Sequence, residues 1–423
     1  PQTTARPRAS VARDSLEARI GSRWLLYIGV VAVVIGISYF EKLAIDNNWI
    51  SETVRVLQGA VIGSLLVYGG LRFVKAGYDL YGQIVTGGGI AVLYVSIYAA
   101  FNFYHLVGWP VAFVVTCGIT SLGAWLSDRL RSQGLALMAV GGGFATPFLI
   151  STGTDAQIAL FSYDAVLIAG TMYLARRRDW PGLNLASYCF TLLTVAGWAS
   201  AYYQPSRYLS TELFITLFCG MFLYVLRQTG RPASTFARLV HDTLWTAPVL
   251  YYLTSLAILL GHPLPFLLFI ILLSLTGGMV AAHFRSDGLG LLFLVAVQAP
   301  LLVWIDSYAS RTWLVAGLTT VSAVYAINLL SQRHRLAAAP VSQGLGRESE
   351  QIGNLAIWWL HLNGLAAFGG AYLLIEAVRT DATGPLALAF ALWQAACALW
   401  LNTRNRPLAM QFVALGATLL AIG

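Results

Sequence analysis

Asp164 is the residue whose type and setting point most directly to chemistry. It stands in Phe161-Ser162-Tyr163-Asp164-Ala165-Val166, about seven residues into a long apolar run. That is roughly 10 Å of helix rise from the end of the run. An ionised carboxylate in hydrocarbon is costly. The group must therefore face a cavity, pair with a cation or donor, or hold a proton. A proton or cation site, or a contact to a substrate, would use it. The plainer alternative is a structural carboxylate hydrogen-bonded to neighbouring Ser, Tyr or Thr.

Gly141-Gly142-Gly143-Phe144-Ala145-Thr146-Pro147 is the second feature. Three glycines let helices approach closely, and Pro147 removes one backbone donor and disturbs the carbonyl four residues earlier. A helix broken here would present free backbone groups to a ligand. Tight packing with a proline kink is the competing expectation. Gly87–Gly89, Gly277–Gly278 and Gly369–Gly370 favour packing more strongly.

A third group falls on turns facing one side. Glu41, Lys42, Asp46, Asn47, Asn48, Trp49 and Glu52 lie on the first of these turns. Tyr104, His105 and Trp109 lie on the next, and Asp155 on the one after. Carboxylates beside aromatic rings can hold a sugar or a divalent cation. A solvated turn with interfacial Trp is the ordinary reading of the same residues.

Other polar residues inside apolar runs are Gln298, His361, Asn363, Gln394 and Gln411, and they read as interhelical glue. His241-Asp242 could be a satisfied pair. Cys117, Cys189, Cys219 and Cys397 each fall alone in an apolar run and read as packing residues. The six histidines are scattered, so no metal site and no cofactor is expected. No P-loop, HExxH, GxSxG or Rossmann fingerprint occurs in a suitable context.

What must position these residues follows from composition. Of 423 residues, 58% are hydrophobic and 10% charged, against roughly 25% charged in soluble domains. Too few charges remain to cover a soluble fold, so apolar side chains must face lipid. Lipid obliges every backbone polar group to bond internally. Strand-like alternation is absent, and the apolar runs are mostly about 17 to 23 residues, the length that crosses a bilayer as helix. The expected class is an all-α polytopic transmembrane bundle of about fifteen spans: 24–40, 54–71, 81–103, 109–127, 134–151, 157–175, 182–201, 210–227, 240–258, 264–283, 288–305, 312–330, 352–376, 384–402 and 407–423.

Charge tests that division independently of hydropathy. Alternate turns carry Arg72/Lys75, Arg129/Arg131, Arg176–Arg178, Arg227/Arg231/Arg238, Arg285, Arg333/Arg335/Arg347 and Arg404/Arg406. With the five arginines before residue 24, these hold 21 of the 26 basic residues. The opposite turns hold Lys42, Arg55, Arg207, Arg311 and Arg379. The positive-inside rule then puts the N-terminus and the basic turns in the cytoplasm. The net charge of +8 sits in these turns, so no nucleic acid is expected as a partner.

Basic turns recur about every 50 residues, as duplicated helical hairpins would. The organisation expected is a polar cytoplasmic segment at 1–23, helices 1 to 12 over 24–330, a cytoplasmic loop at 331–351 and helices 13 to 15 over 352–423. Beginning at Pro1 and stopping at Gly423 inside an apolar run, the sequence reads as part of a longer polypeptide.

Four stretches carry a resemblance. They are Glu17-Ala-Arg-Ile-Gly21-Ser-Arg-Trp24 continuing to Gly29, Phe40-Glu-Lys-Leu-Ala-Ile-Asp46-Asn-Asn-Trp49-Ile50, Thr86-Gly-Gly-Gly-Ile90 and Gly141 to Pro147. Together they resemble the opening of the bacterial membrane proteins called domain of unknown function 2339. The motifs cover about the first 150 residues. The resemblance implies a large, many-spanned bacterial inner-membrane protein. It carries no activity and no catalytic residues.

Three functions are expected from these features. Transport or flipping of an envelope-related substrate leads; it expects a water-accessible cavity reaching Asp164. A non-catalytic scaffold or partner subunit expects a tightly packed bundle that binds another membrane or periplasmic protein. An intramembrane transferase using a lipid-linked donor expects Glu41, Asp46 or Glu52 to converge with His105 or Asp155. Membrane lipids are partners under all three.

Overall fold

The computed structural model describes residues 39, 43, 50–150, 153, 155–228, 234–338, 347–378, 382–402 and 412–418. Glu41, Asp46, Gln411, the polar segment 1–23, almost all of the span expected at 24–40 and much of that at 407–423 lie outside the described residues. Within them the regular structure is entirely helical.

In chain order the helices are α1 Glu52–Lys75, α2 Asp79–Tyr98, α3 Trp109–Leu130, α4 Gln133–Leu149, α5 Gln157–Arg178, α6 Pro181–Tyr202 and α7 Tyr208–Gln228. There follow α8 Thr235–Leu244, α9 Thr246–Leu259, α10 Pro263–Phe284, α11 Asp287–Tyr308, α12 Leu314–Ala338, α13 Arg347–Glu376 and α14 Thr383–Asn402. A π-turn, Ala99–Phe103, continues α2. Proline opens several of these helices, at Pro110, Pro181 and Pro263, where its missing N–H goes unneeded.

Two expectations change. The span expected at 240–258 is two helices parted at Trp245. Pro248 explains the break: it has no N–H for the Leu244 carbonyl, and its ring crowds that carbonyl. The stretch 331–351 is helical at both ends, since α12 runs on to Ala338 and α13 starts at Arg347.

Among the described residues, eight helices are long and apolar enough to cross a membrane: α1, α2 with its π-turn, α3, α5, α7 with its preceding turn, α10, α11 and most of α12. The fifteen spans expected from sequence therefore exceed what length and hydropathy support here. Helix α4 has only 17 residues. Helix α6 has 22, but a line of polar side chains lowers its hydropathy.

Four of the basic turns share one backbone solution. Gly77, Arg131, Asp179 and Arg285 all have positive φ, at 89°, 52°, 55° and 50°. In each, the next residue's N–H reaches back five residues: Tyr78 to Phe73, Ser132 to Ser127, Trp180 to Ala175 and Ser286 to Ala281, at 2.9–3.1 Å. This left-handed cap satisfies carbonyls that a helix end leaves orphaned. Ser132 and Ser286 then cap the following helix, each accepting a backbone N–H three residues on. Tight, antiparallel hairpins result.

The chain divides into two compact units, Pro1–Tyr202 with Gly220–Trp245 and Tyr203–Cys219 with Thr246–Gly423. Helix α7 contributes to both. In the first unit, α1 and α2 meet backbone to backbone. A Cβ on Gly70 would lie 2.7 Å from the Gly82 carbonyl, and one on Gly89 would lie 2.7 Å from that of Gly63. Glycine seven residues apart on both helices is what permits this approach. The second unit packs Phe266, Ile270, Leu301, Trp304, Val324 and Leu374 into an apolar core.

Candidate functional site

The first unit places Asp164 at its centre. Helix α5 starts where Asp155 accepts the Gln157 N–H at 3.2 Å. Two turns later the helix turns Phe161, Asp164, Ile168 and Thr171 inward. Asp164 is 0% exposed, and neither carboxylate oxygen has a hydrogen-bond partner. Thr194 of α6 is the hydroxyl that interacts with the carboxyl, without a hydrogen bond of normal geometry. Asp164 thus has no exposed surface where the transport reading expects a water-accessible cavity, and Thr194 is a neighbour of the kind expected beside a structural carboxylate.

The expected broken helix at Gly141–Pro147 is also corrected: α4 runs unbroken through it to Leu149. Pro147 does free the Gly143 carbonyl. The Tyr163 hydroxyl donates to that carbonyl at 2.9 Å, so a neighbouring helix supplies what proline withholds. Thr146 bonds back to the Gly142 carbonyl at 2.8 Å. The glycines are filled by neighbours. A Cβ on Gly142 would lie 2.4 Å from the Tyr94 ring, one on Gly143 3.0 Å from Thr120 Cγ2, and one on Gly141 3.5 Å from Phe190. Packing, with a capped proline, accounts for the motif. Tyr163 is thereby committed to α4 and is withheld from Asp164 beside it.

Of the turn residues singled out, Glu52, His105 and Asp155 lie among the described residues. Glu52, in the first turn of α1, and His105, in a turn with φ of 49°, are both exposed. Arg55 lies over the Tyr104 ring at 5.9 Å, so their two elements are adjacent. Asp155 is engaged elsewhere, accepting Trp198 Nε1 at 2.9 Å. Among the described residues, no three His, Cys, Asp or Glu side chains gather to hold a metal.

Helix α6, which packs on α4, α5 and α8, contributes a feature the sequence reading passed over. Asn184, Ser187, Thr191, Thr194 and Trp198 are all buried, three or four residues apart. That spacing puts them on one helix face, along roughly 21 Å of rise. Asn184 Oδ1 and the Ser187 hydroxyl also lack partners. At the end nearer the basic turn, Asp128 takes Arg178 at 2.6 Å and Arg177 at 3.4 Å. Toward the other end, the Phe161 and Trp198 rings meet edge to face at 5.2 Å.

A family model described as "Predicted membrane protein (DUF2339)" matches residues 21–423. The chain belongs to this family. Membership of DUF2339 and the eight apolar helices together make it a membrane protein. No curated protein and no solved structure matches it. In this DUF2339 chain, a second carboxylate inside a membrane-length helix went unnoticed in the sequence. Glu212 of α7 accepts Ser255 Oγ at 2.7 Å on one oxygen, and its other oxygen has no partner. One turn along, Thr216 donates to the Tyr251 hydroxyl at 3.1 Å. The signal was an acid two residues into the apolar run expected at 210–227, weaker than the one that marked Asp164.

Proposed function

We propose that this protein is a membrane transporter whose first unit binds a coupling proton or small cation at Asp164. The observation that carries the reading is a wholly enclosed carboxylate with both oxygens unbonded. A buried acid that merely held helices together would be expected to take up hydrogen bonds. Here the Tyr163 hydroxyl, adjacent in the chain, is spent on Gly143, and Thr194 approaches without a hydrogen bond of normal geometry. An uncompensated acid at full burial is the kind of cost that function, not packing, retains. Enclosure corresponds to an occluded state of such a site. The arginine asymmetry supports insertion in a bacterial plasma membrane with the basic turns inside.

Enclosure itself also supports the scaffold reading, and ion dependence separates the two. The full chain, purified in micelles, is melted across pH and in sodium, potassium or lithium chloride at constant ionic strength. A site at Asp164 predicts that one of these species raises the melting temperature of the wild type and leaves Asp164→Asn unmoved, since a ligand at about 100 times its Kd adds about 2.7 kcal/mol. Carbodiimide, which modifies membrane-embedded carboxyls in their protonated form, should label Asp164 and be slowed by the same species. Equal ion responses in wild type and Asp164→Asn, with no labelling, would leave the scaffold.

A further inference from the structure

We propose that the polar face of α6 carries protons between Asp164 and the end of the first unit that bears Arg176–Arg178, while Phe161 and Trp198 close the opposite side. This rests on the reading of Asp164 as an ion site and names the ion as a proton.

The α5–α6 hairpin supplies the geometry. Its turn at Asp179-Trp180 is tight, so residues whose numbers sum to about 359 lie level with each other. Asp164 lies level with Thr194, as their interaction requires. By the same register, Phe161 falls level with Trp198 and Thr171 with Ser187. The edge-to-face contact of Phe161 with Trp198 agrees with that register. From Asp164 toward the basic end, α6 turns in the buried polar groups Thr194, Thr191, Ser187 and Asn184; opposite them α5 places Thr171 level with Ser187, and the apolar Ile168 level with Thr191. From Asp164 toward the other end come two aromatic rings, Phe161 at 0% and Trp198 at 3% exposure. Asp155 fixes the second ring through its indole N–H.

Three members of the polar face have unbonded atoms: both oxygens of Asp164, the Ser187 hydroxyl and Asn184 Oδ1. Buried groups of this kind call for water or an ion. Neighbours three and four apart on a helix stand about 5–6 Å apart, a gap one water bridges. A proton entering at the Asn184 end is taken up by a bridging water, which passes one of its own to the Ser187 hydroxyl. Each hydroxyl accepts one proton on its lone pair and releases another onward, the Thr191 hydroxyl first turning away from the Ser187 carbonyl to which it donates at 2.8 Å. The last transfer, from the Thr194 side, leaves Asp164 neutral, and one proton has moved overall. Tyr163, next to Asp164 on α5, is the titratable group that interacts with it, and Tyr94 from α2 and Cys117 from α3 interact in turn with Tyr163. No arginine or lysine among the described residues pairs with Asp164.

The test uses the full chain in sealed liposomes of known orientation, with luminal and external pH set separately. Carbodiimide labelling of Asp164, read by peptide mass spectrometry after a pH jump, reports when its proton arrives. In the wild type the labelling rate should follow the pH on the Arg176–Arg178 side. Ser187→Val with Thr191→Val should slow that response roughly tenfold, as loss of one relay step would. Thr191→Ser keeps its hydroxyl and should respond as the wild type does, and it serves also if the double variant does not fold. Phe161→Ala should make labelling respond to the other side. Wild-type labelling that follows the other side, or both sides equally, overturns the proposal, as does an unslowed double variant. So does a Thr191→Ser response slowed as far as the double variant. In those cases labelling persists, and Asp164 stands as an ion site reached otherwise. Absence of any wild-type labelling removes the ion site itself.

Discussion

In the first unit, Asp164 is enclosed with neither oxygen bonded, whereas in the second Glu212 keeps part of its surface exposed and receives Ser255 on one oxygen. Much of the remaining buried polarity of the second unit is bonded amide, indole and hydroxyl. Asn328 donates to Ser274 Oγ at 3.2 Å and to the Val324 carbonyl at 2.9 Å, and accepts Trp359 Nε1 at 3.1 Å. The Tyr325 hydroxyl accepts Gln394 at 3.1 Å and Trp393 at 3.3 Å, and its carbonyl accepts Asn363 at 3.2 Å. Apart from one oxygen of Glu212, the side-chain atoms this unit leaves unbonded among the described residues, such as Gln298 Nε2, Trp304 Nε1 and those of Gln332, belong to neutral groups. Neutral groups are far cheaper to leave bare than an acid that can ionise. The contrast teaches that buried polarity in one chain takes two forms: groups whose donors and acceptors meet, and a carboxylate left without a hydrogen bond of normal geometry.

Trp359→Ala should cost the most, about 3–5 kcal/mol by denaturant unfolding in micelles, because it empties the space over Gly290 and strands Asn328. A cost near zero would break the claim that this network holds the second unit together. Next in size is Tyr163→Phe, expected to destabilise by about 1–3 kcal/mol through the stranded Gly143 carbonyl. Pro147→Ala restores an N–H to that carbonyl, so the same tyrosine change in that background should cost much less. Additive costs in this double-mutant cycle would mean that Tyr163 does not compensate for the proline.

The comparison itself turns on sign. Asp164→Leu should leave stability unchanged or raise it by about 1 kcal/mol, since it removes an unbonded acid. Asn363→Leu should lower it, because Asn363 holds the Tyr325 carbonyl. Clear destabilisation by Asp164→Leu would return Asp164 to a structural role. The smallest effect belongs to Ser255→Ala, which should cost about 0.6 kcal/mol, the usual worth of one interhelical hydrogen bond. A cost several times larger would mark Glu212 as more than an anchored acid.

Much was readable before any coordinates. Apolar runs at bilayer length foretold the helices from α1 to α7 within a few residues, because hydropathy and length are local properties. Asp164 stood out for the same reason: one acid in a long apolar run is conspicuous wherever its neighbours lie. The polar face of α6 was legible too, as Asn184, Ser187, Thr191 and Thr194 at helical spacing, but that pattern alone does not say which helix it faces. The Pro248 break was missed because hydropathy is blind to a lost backbone donor, and Glu212 because it stands near the start of its run.

Sequence by itself determined an all-helical membrane chain, its basic turns and the isolated acid, all of which depend on residues within a few turns of one another. Only the tertiary structure decided that Tyr163 bonds Gly143 rather than Asp164, that Gly142 fits the Tyr94 ring and that Phe161 meets Trp198. Each depends on the rotation and register of one helix against another. A shift of one residue turns a helical side chain by 100° and moves it 1.5 Å, enough to exchange a hydrogen bond for an unbonded oxygen.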